Sequence, residues 1–163
     1  MTRRRPPADA DERTMLTGWL DVQRATVRLK CEGLTDEQAQ LVLLPSSPRM
    51  TVKTLIAHLR NVEQGWFEAS FLGARELAAK DPFELPQPPD ASLDELLDEY
   101  DKQCARSREI VAAHDLDELE AWAPEGLDVV SLRWIITHLL EETARHLGHL
   151  DALRELTDGT TGY

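Results

Sequence analysis

The chain has 163 residues, with 30 acidic against 18 basic side chains and a formal net charge of −12 at pH 7. That length fits one domain with a sizeable core, here taken as residues 1–163. The acidic balance argues against nucleic acid or an anionic membrane surface as a partner, and no run approaches the length of a membrane span. The head, Thr2-Arg-Arg-Arg-Pro-Pro, is basic but has no apolar stretch, so it does not read as a secretory signal. Residues 1–9 are expected to form a flexible tail.

The first helix is predicted from about Ala10 to Cys31. Met15, Leu16, Trp19, Leu20, Val22, Val27 and Leu29 recur at helical spacing, and Gly33 ends the run. Thr35-Asp-Glu-Gln38 matches a capping box and opens a short helical turn. Pro45 and Pro48 mark a loop. A second helix is predicted from an N-cap at Thr51 to Leu72, with Gly73 as its C-terminal cap. Four prolines between Lys80 and Asp90 require a loop. Ser92-Leu-Asp-Glu95 is a second capping box. It opens a third helix to about His114, with Leu93, Leu96, Leu97, Tyr100, Cys104 and Ile110 as the inner stripe. His114 reads as a partner for that helix's C-terminal dipole. A connection carrying Trp122 and Pro124 leads to a fourth helix, Ser131 to Thr157, terminated by Gly159.

Four long amphipathic helices and no convincing strand predict an all-α fold, a four-helix bundle with long connections after the second and third helices. Those connections can reach over one end and wall a pocket, with Trp66, Trp122 and Trp134 as candidate lining or as core. Cys31 and Cys104 match no metal or redox spacing and read as packed thiols in a reducing cytoplasm. The chain has no Gly-rich phosphate loop, no Gly-x-Ser-x-Gly and no internal repeat.

The fourth helix carries the chemistry. His138, Glu142, His146 and His149 fall within about 80° on its wheel, with Leu139, Leu150 and Leu153 on or beside the same stripe. A carboxylate facing a core needs a neutralising partner, and a divalent metal would supply it. Glu142 and His146 are four residues apart, so both can reach one ion. His58, amid Leu55, Ile56, Leu59 and Val62, is the best third ligand. Three protein ligands leave a position open for water or substrate. The competing reading makes His58 a hydrogen-bonded core histidine, with Glu142 paired to Arg145 or Arg133 or solvated. His138 and His149 stay open as helpers, alternative ligands or boundary residues.

These residues support a family resemblance over the full chain. Asp11-Glu-Arg-Thr-Met-Leu, Leu55-Ile-Ala-His-Leu-Arg-Asn-Val-Glu and Glu141-Glu-Thr-Ala-Arg-His-Leu-Gly-His resemble the DinB-like superfamily of four-helix bundles. The resemblance is closest to the actinobacterial branch with mycothiol-dependent S-transferases and maleylpyruvate isomerase. It implies a divalent metal held by a His on the second helix and a pair four apart on the last, matching His58, Glu142 and His146. Many relatives carry a His-Arg-Gly-Gln-like run where this chain has His146-Leu-Gly-His149, which leaves the role of His149 open. Such a site suits zinc. The implied activity is a thiol S-transferase in which the metal acidifies mycothiol for attack on an electrophilic small molecule. The metal centre itself would carry the chemistry, with Glu142 and His149 as candidate helpers. Similar bundles pair through helix faces, so a homodimer is one option. Two alternatives remain at this point: a metal-dependent hydrolase using bound water, and a non-catalytic metal-binding stress-response bundle.

Overall fold

Each helix begins where a short polar side chain can take up an unpaired backbone N–H. Asp11, Thr51, Ser92 and Ser131 accept from the amides of Thr14, Thr54, Glu95 and Trp134. Thr35 and Ser92 complete full capping boxes with Gln38 and Glu95. The elements that result are α1 (Glu12–Cys31), α2 (Asp36–Ala39), α3 (Val52–Gln64), α4 (Leu93–Ala113) and α5 (Leu132–Asp158). The structure is a computed structural model that describes residues 3–78, 85–86 and 89–162. Among these residues the fold is all helical, apart from one isolated bridge between Leu119 and Ser131. Most of the proline-rich stretch from Lys80 to Asp90 lies outside the described residues.

The second long helix departs from expectation. It is α-helical only to Gln64 and continues from Gly65 to Phe71 as a π-helix. The amide of Leu72 reaches back five residues to the Phe67 carbonyl. The Ser70 and Phe71 carbonyls, left unpaired at the helix end, accept from the amides of Trp122 and Ala121 at 3.0 Å, which ties the α4–α5 connection to the end of this helix. Gly73 closes the turn at φ 77°, and a Cβ there would stand 3.2 Å from the Ala121 Cβ. A Gly at C′ in the same left-handed region, Gly159 at φ 78°, ends α5.

The helices bury two apolar clusters. One joins Val27, Leu55, Leu59, Leu97, Tyr100, Leu147 and Leu150. The other joins Leu20, Phe67, Phe71, Ile110, Ile135 and Leu139. On every long helix a polar residue stands where one cluster gives way to the other: Arg24, Glu63, Ser107 and Thr143, all buried. Arg24 grips Glu63 with two parallel bonds of 2.6 and 2.7 Å. Its third nitrogen meets Asp21 at 3.0 Å, and Arg108 meets the same Asp21 carboxylate at 2.9 Å. Cys31 and Cys104 are buried and unbridged. Of the basic head, Arg5 sits 5.8 Å from the Trp19 ring and Pro6 is seated against Gly18. No helix among the described residues is long and apolar enough to cross a membrane.

Arg24 keeps Asp21 if Glu63 is lost, whereas removing Arg24 strands Glu63 as a buried charge. Arg24→Met is therefore expected to cost about 3–5 kcal/mol, read from urea unfolding. The charge-free double variant Arg24→Met/Glu63→Leu is expected to recover most of that loss. A single-variant cost below about 1 kcal/mol, the level of an exposed pair, would contradict the account.

Candidate metal centre

α3 presents His58 toward α5, and α5 presents Glu142 and His146 toward α3. His58 lies on the buried face of α3 beside Leu55 and Leu59. His146 lies on the buried face of α5 one turn beyond Glu142. The His58 Nε2 stands 3.1 Å from Glu142 Oε1, and the His146 Nε2 stands 3.0 Å from the same oxygen. The two rings meet edge to face at 4.7 Å. The ligand atoms of these three residues all lie within 4.8 Å of one another, the one such group among the described residues. His58 and His146 are buried and Glu142 is half-buried.

The donor set fits a divalent ion. Zinc takes imidazole nitrogen and carboxylate oxygen at about 2.0–2.2 Å, so adjacent ligands on one ion stand a little over 3 Å apart. The two nitrogen–oxygen separations have that scale. The His146 and His58 imidazoles hold the Glu142 carboxyl well below the usual carboxylate range, against the opposing effect of burial. The carboxylate is thus charged and its charge faces two nitrogens. The arginines that might have neutralised it are elsewhere. Arg133 binds Glu12 at 2.7 Å and also pairs with Asp117, and Arg145 is exposed.

The other histidines divide. His149 places its Nδ1 3.3 Å from the Nδ1 of His146, on the side of that ring away from Glu142. Burial, reinforced by His146, pushes the His149 imidazole below its ordinary value. His138 is directed away from the three-residue group. It stacks on Trp134 at 5.1 Å and meets Trp66 edge-on at 5.1 Å, and the two indoles are 5.2 Å apart. Trp122 is apart from this cluster and lies 5.7 Å from the Arg75 guanidinium. His114 caps the end of α4, with its Nδ1 3.0 Å from Glu118 and its ring against Phe71. The sequence makes Trp66 and Trp134 candidates for a pocket wall, but nothing in its spacing joins them to His138 across two helices.

A family model described as mycothiol-S-transferase matches residues 15–159 of the chain. No curated protein matches it.

The geometry generates a metal-content experiment. Protein loaded with one equivalent of zinc is expected to lose most of it on His58→Ala, while Glu142→Gln weakens binding and keeps the fold. His149→Ala is expected to retain stoichiometric metal at saturation, with affinity lower by about tenfold, because it contacts only the far nitrogen of His146. Full metal content in His58→Ala, or a loss in His149→Ala as deep as in His146→Ala, would contradict this assignment.

Proposed function

The chain belongs to the mycothiol-S-transferase family, and from that premise we propose that it joins the thiol of mycothiol to an electrophilic small molecule, at a divalent ion held by His58, Glu142 and His146. The observation that carries the reading is the approach of two imidazole nitrogens to one carboxylate oxygen, on helices whose other buried residues are mostly apolar. Buried histidines in that pose, each with its Nε2 turned to the same anion, are arranged for a shared cation rather than for packing.

A divalent ion bound there, zinc by the chemistry of the donor set, supplies a Lewis acid that lowers the pKa of a thiol beside it. The chain's residues prepare the place. His58 and His146, on different helices, both turn Nε2 toward Glu142 Oε1. Glu142 contributes one negative charge, which reduces the net charge of the centre without abolishing it. With Nε2 of His146 used as a ligand, its Nδ1 carries the proton and donates to His149 Nδ1, which holds the ring in that tautomer.

The sulfur nucleophile comes from outside the chain. Burial pushes the Cys31 and Cys104 thiols up to about 12, so both stay protonated at neutral pH and neither is accessible. In the reaction the thiol gives up its proton and its sulfur forms a bond to an electrophilic carbon. The electron pair of the broken bond leaves with the departing group. A reduced thiol as cosubstrate places this chemistry in the cytoplasm.

Metal-loaded protein is expected to consume electrophile only when mycothiol is present, with product formed in equal amount to thiol lost. Glu142→Gln is expected to lower the rate by about 100-fold, on the scale of losing one charge-stabilising group. Consumption that proceeds at full rate without thiol, yielding a hydrolysis product, would replace this reading with the hydrolase. No consumption under either condition would replace it with a non-catalytic metal-binding bundle.

A further inference from the structure

Away from the metal centre, α1 and α4 enclose a cavity of about 330 Å³ that shares no residue with the His58–Glu142–His146 group. Arg13, Thr17, Leu20, Asp21 and Arg24 recur on α1 at steps of three and four, so they form one face of it. Arg108, Val111 and Ala112 of α4 stand opposite. Leu20 and Ile136 of the apolar cluster beneath form the floor. The volume lies at the low end of the range for small-molecule sites, and walls that combine apolar surface with a few charges are usual there.

The charges in the cavity are not equivalent. At one end Arg24 is held by Glu63, and Arg108 Nε meets both oxygens of Asp21 at 2.9 and 3.1 Å. At the other end Arg13 is half-buried and meets no carboxylate among the described residues. Its Nη1 and Nη2 donate to the carbonyls of Val111 and His114, at the end of α4, at 2.5 and 2.8 Å. Each of these nitrogens carries a second hydrogen and Nε one more, so an anion can be met without breaking those bonds. In a chain of net charge −12, the cavity therefore holds a cation with no counter-charge, beside an apolar floor.

We propose that this cavity is a second ligand site, which takes a small monocarboxylate with an apolar body. The carboxylate meets Arg13, and the body lies against Leu20, Val111 and Ile136. A guanidinium partly withdrawn from water binds a carboxylate through charge-assisted hydrogen bonds. A dianion would find no second unmatched cation, because Arg24 and Arg108 already face Glu63 and Asp21. A neutral molecule of the same shape gains the apolar contact but not the charge. The proposal stands apart from the transferase reading, since the site uses neither the ion nor the thiol.

Hydrocinnamate, an apolar monocarboxylate, is titrated into zinc-loaded, isotope-labelled protein and followed by amide NMR shifts. Saturable shifts are expected at Thr17, Leu20, Val111 and Ala112. Affinity is expected to fall about tenfold for the neutral isostere hydrocinnamamide, and about tenfold for the acid on Arg13→Gln, the scale of one charge-assisted hydrogen bond. The comparison of acid with amide uses unaltered protein, so it holds even if Arg13→Gln loosens the end of α4. Equal affinity for acid and amide overturns the proposal, because the cavity is then only an apolar hole. Unchanged affinity in a folded Arg13→Gln protein overturns it too. So do shifts confined to the surroundings of His58, Glu142 and His146 and lost in His58→Ala, because the acid then sits on the ion. No saturable shift at the cavity amides up to about 10 mM acid also overturns it.

Discussion

The register between α3 and α5 is the constraint on which the rest depends. It brings His58 opposite the gap between Glu142 and His146, and it brings Trp66 opposite the gap between Trp134 and His138. A slip of one residue would turn each histidine about 100° from its partner and dissolve both groups at once. The apolar faces hold the register. Leu55, Ile56 and Leu59 of α3 share one cluster with Leu147 and Leu150 of α5, and Phe67 shares the other with Ile135 and Leu139. The centre is thus a consequence of packing that would be needed for stability in any case.

The buried polar layer serves that register. Four helices with only leucine facing inward can slide or rotate by a turn at little cost. Arg24 and Glu63 cannot be exchanged for neighbours without leaving a charge unpaired, so they fix the height of α1 against α3. The π-helical end of the second long helix does the same for the connection that follows α4. Its last carbonyls bind Ala121 and Trp122 and set where the chain enters α5.

Much of this was legible in the sequence, because it is written in local patterns. The capping boxes at Thr35 and Ser92, the N-cap at Thr51 and the glycine stops are short-range signals, and the helices begin and end beside them. The grouping of His58 with Glu142 and His146 could be reached from the wheel of each helix. Features that need two helices at once could not. A charge such as Arg24 in an apolar stripe has a partner that only the fold reveals. Seven residues are too few to separate a π-helix from an α-helix by periodicity. His138 was placed on the stripe with the other three, yet it faces the indoles. Each four-residue step turns about 40° around the axis, so the stripe that is buried at His146 has emerged to solvent by Trp134.

If two imidazoles and one carboxylate hold a single divalent ion between α3 and α5, its coordination shell will show it. X-ray absorption at the zinc edge of protein loaded with one equivalent reads that shell. Nitrogen and oxygen ligands at about 2.0–2.2 Å, outer-shell scattering from two imidazole rings, and no sulfur at about 2.3 Å before thiol is added are expected. A shell with three or four imidazoles, or with a cysteine sulfur, would contradict that ligand set.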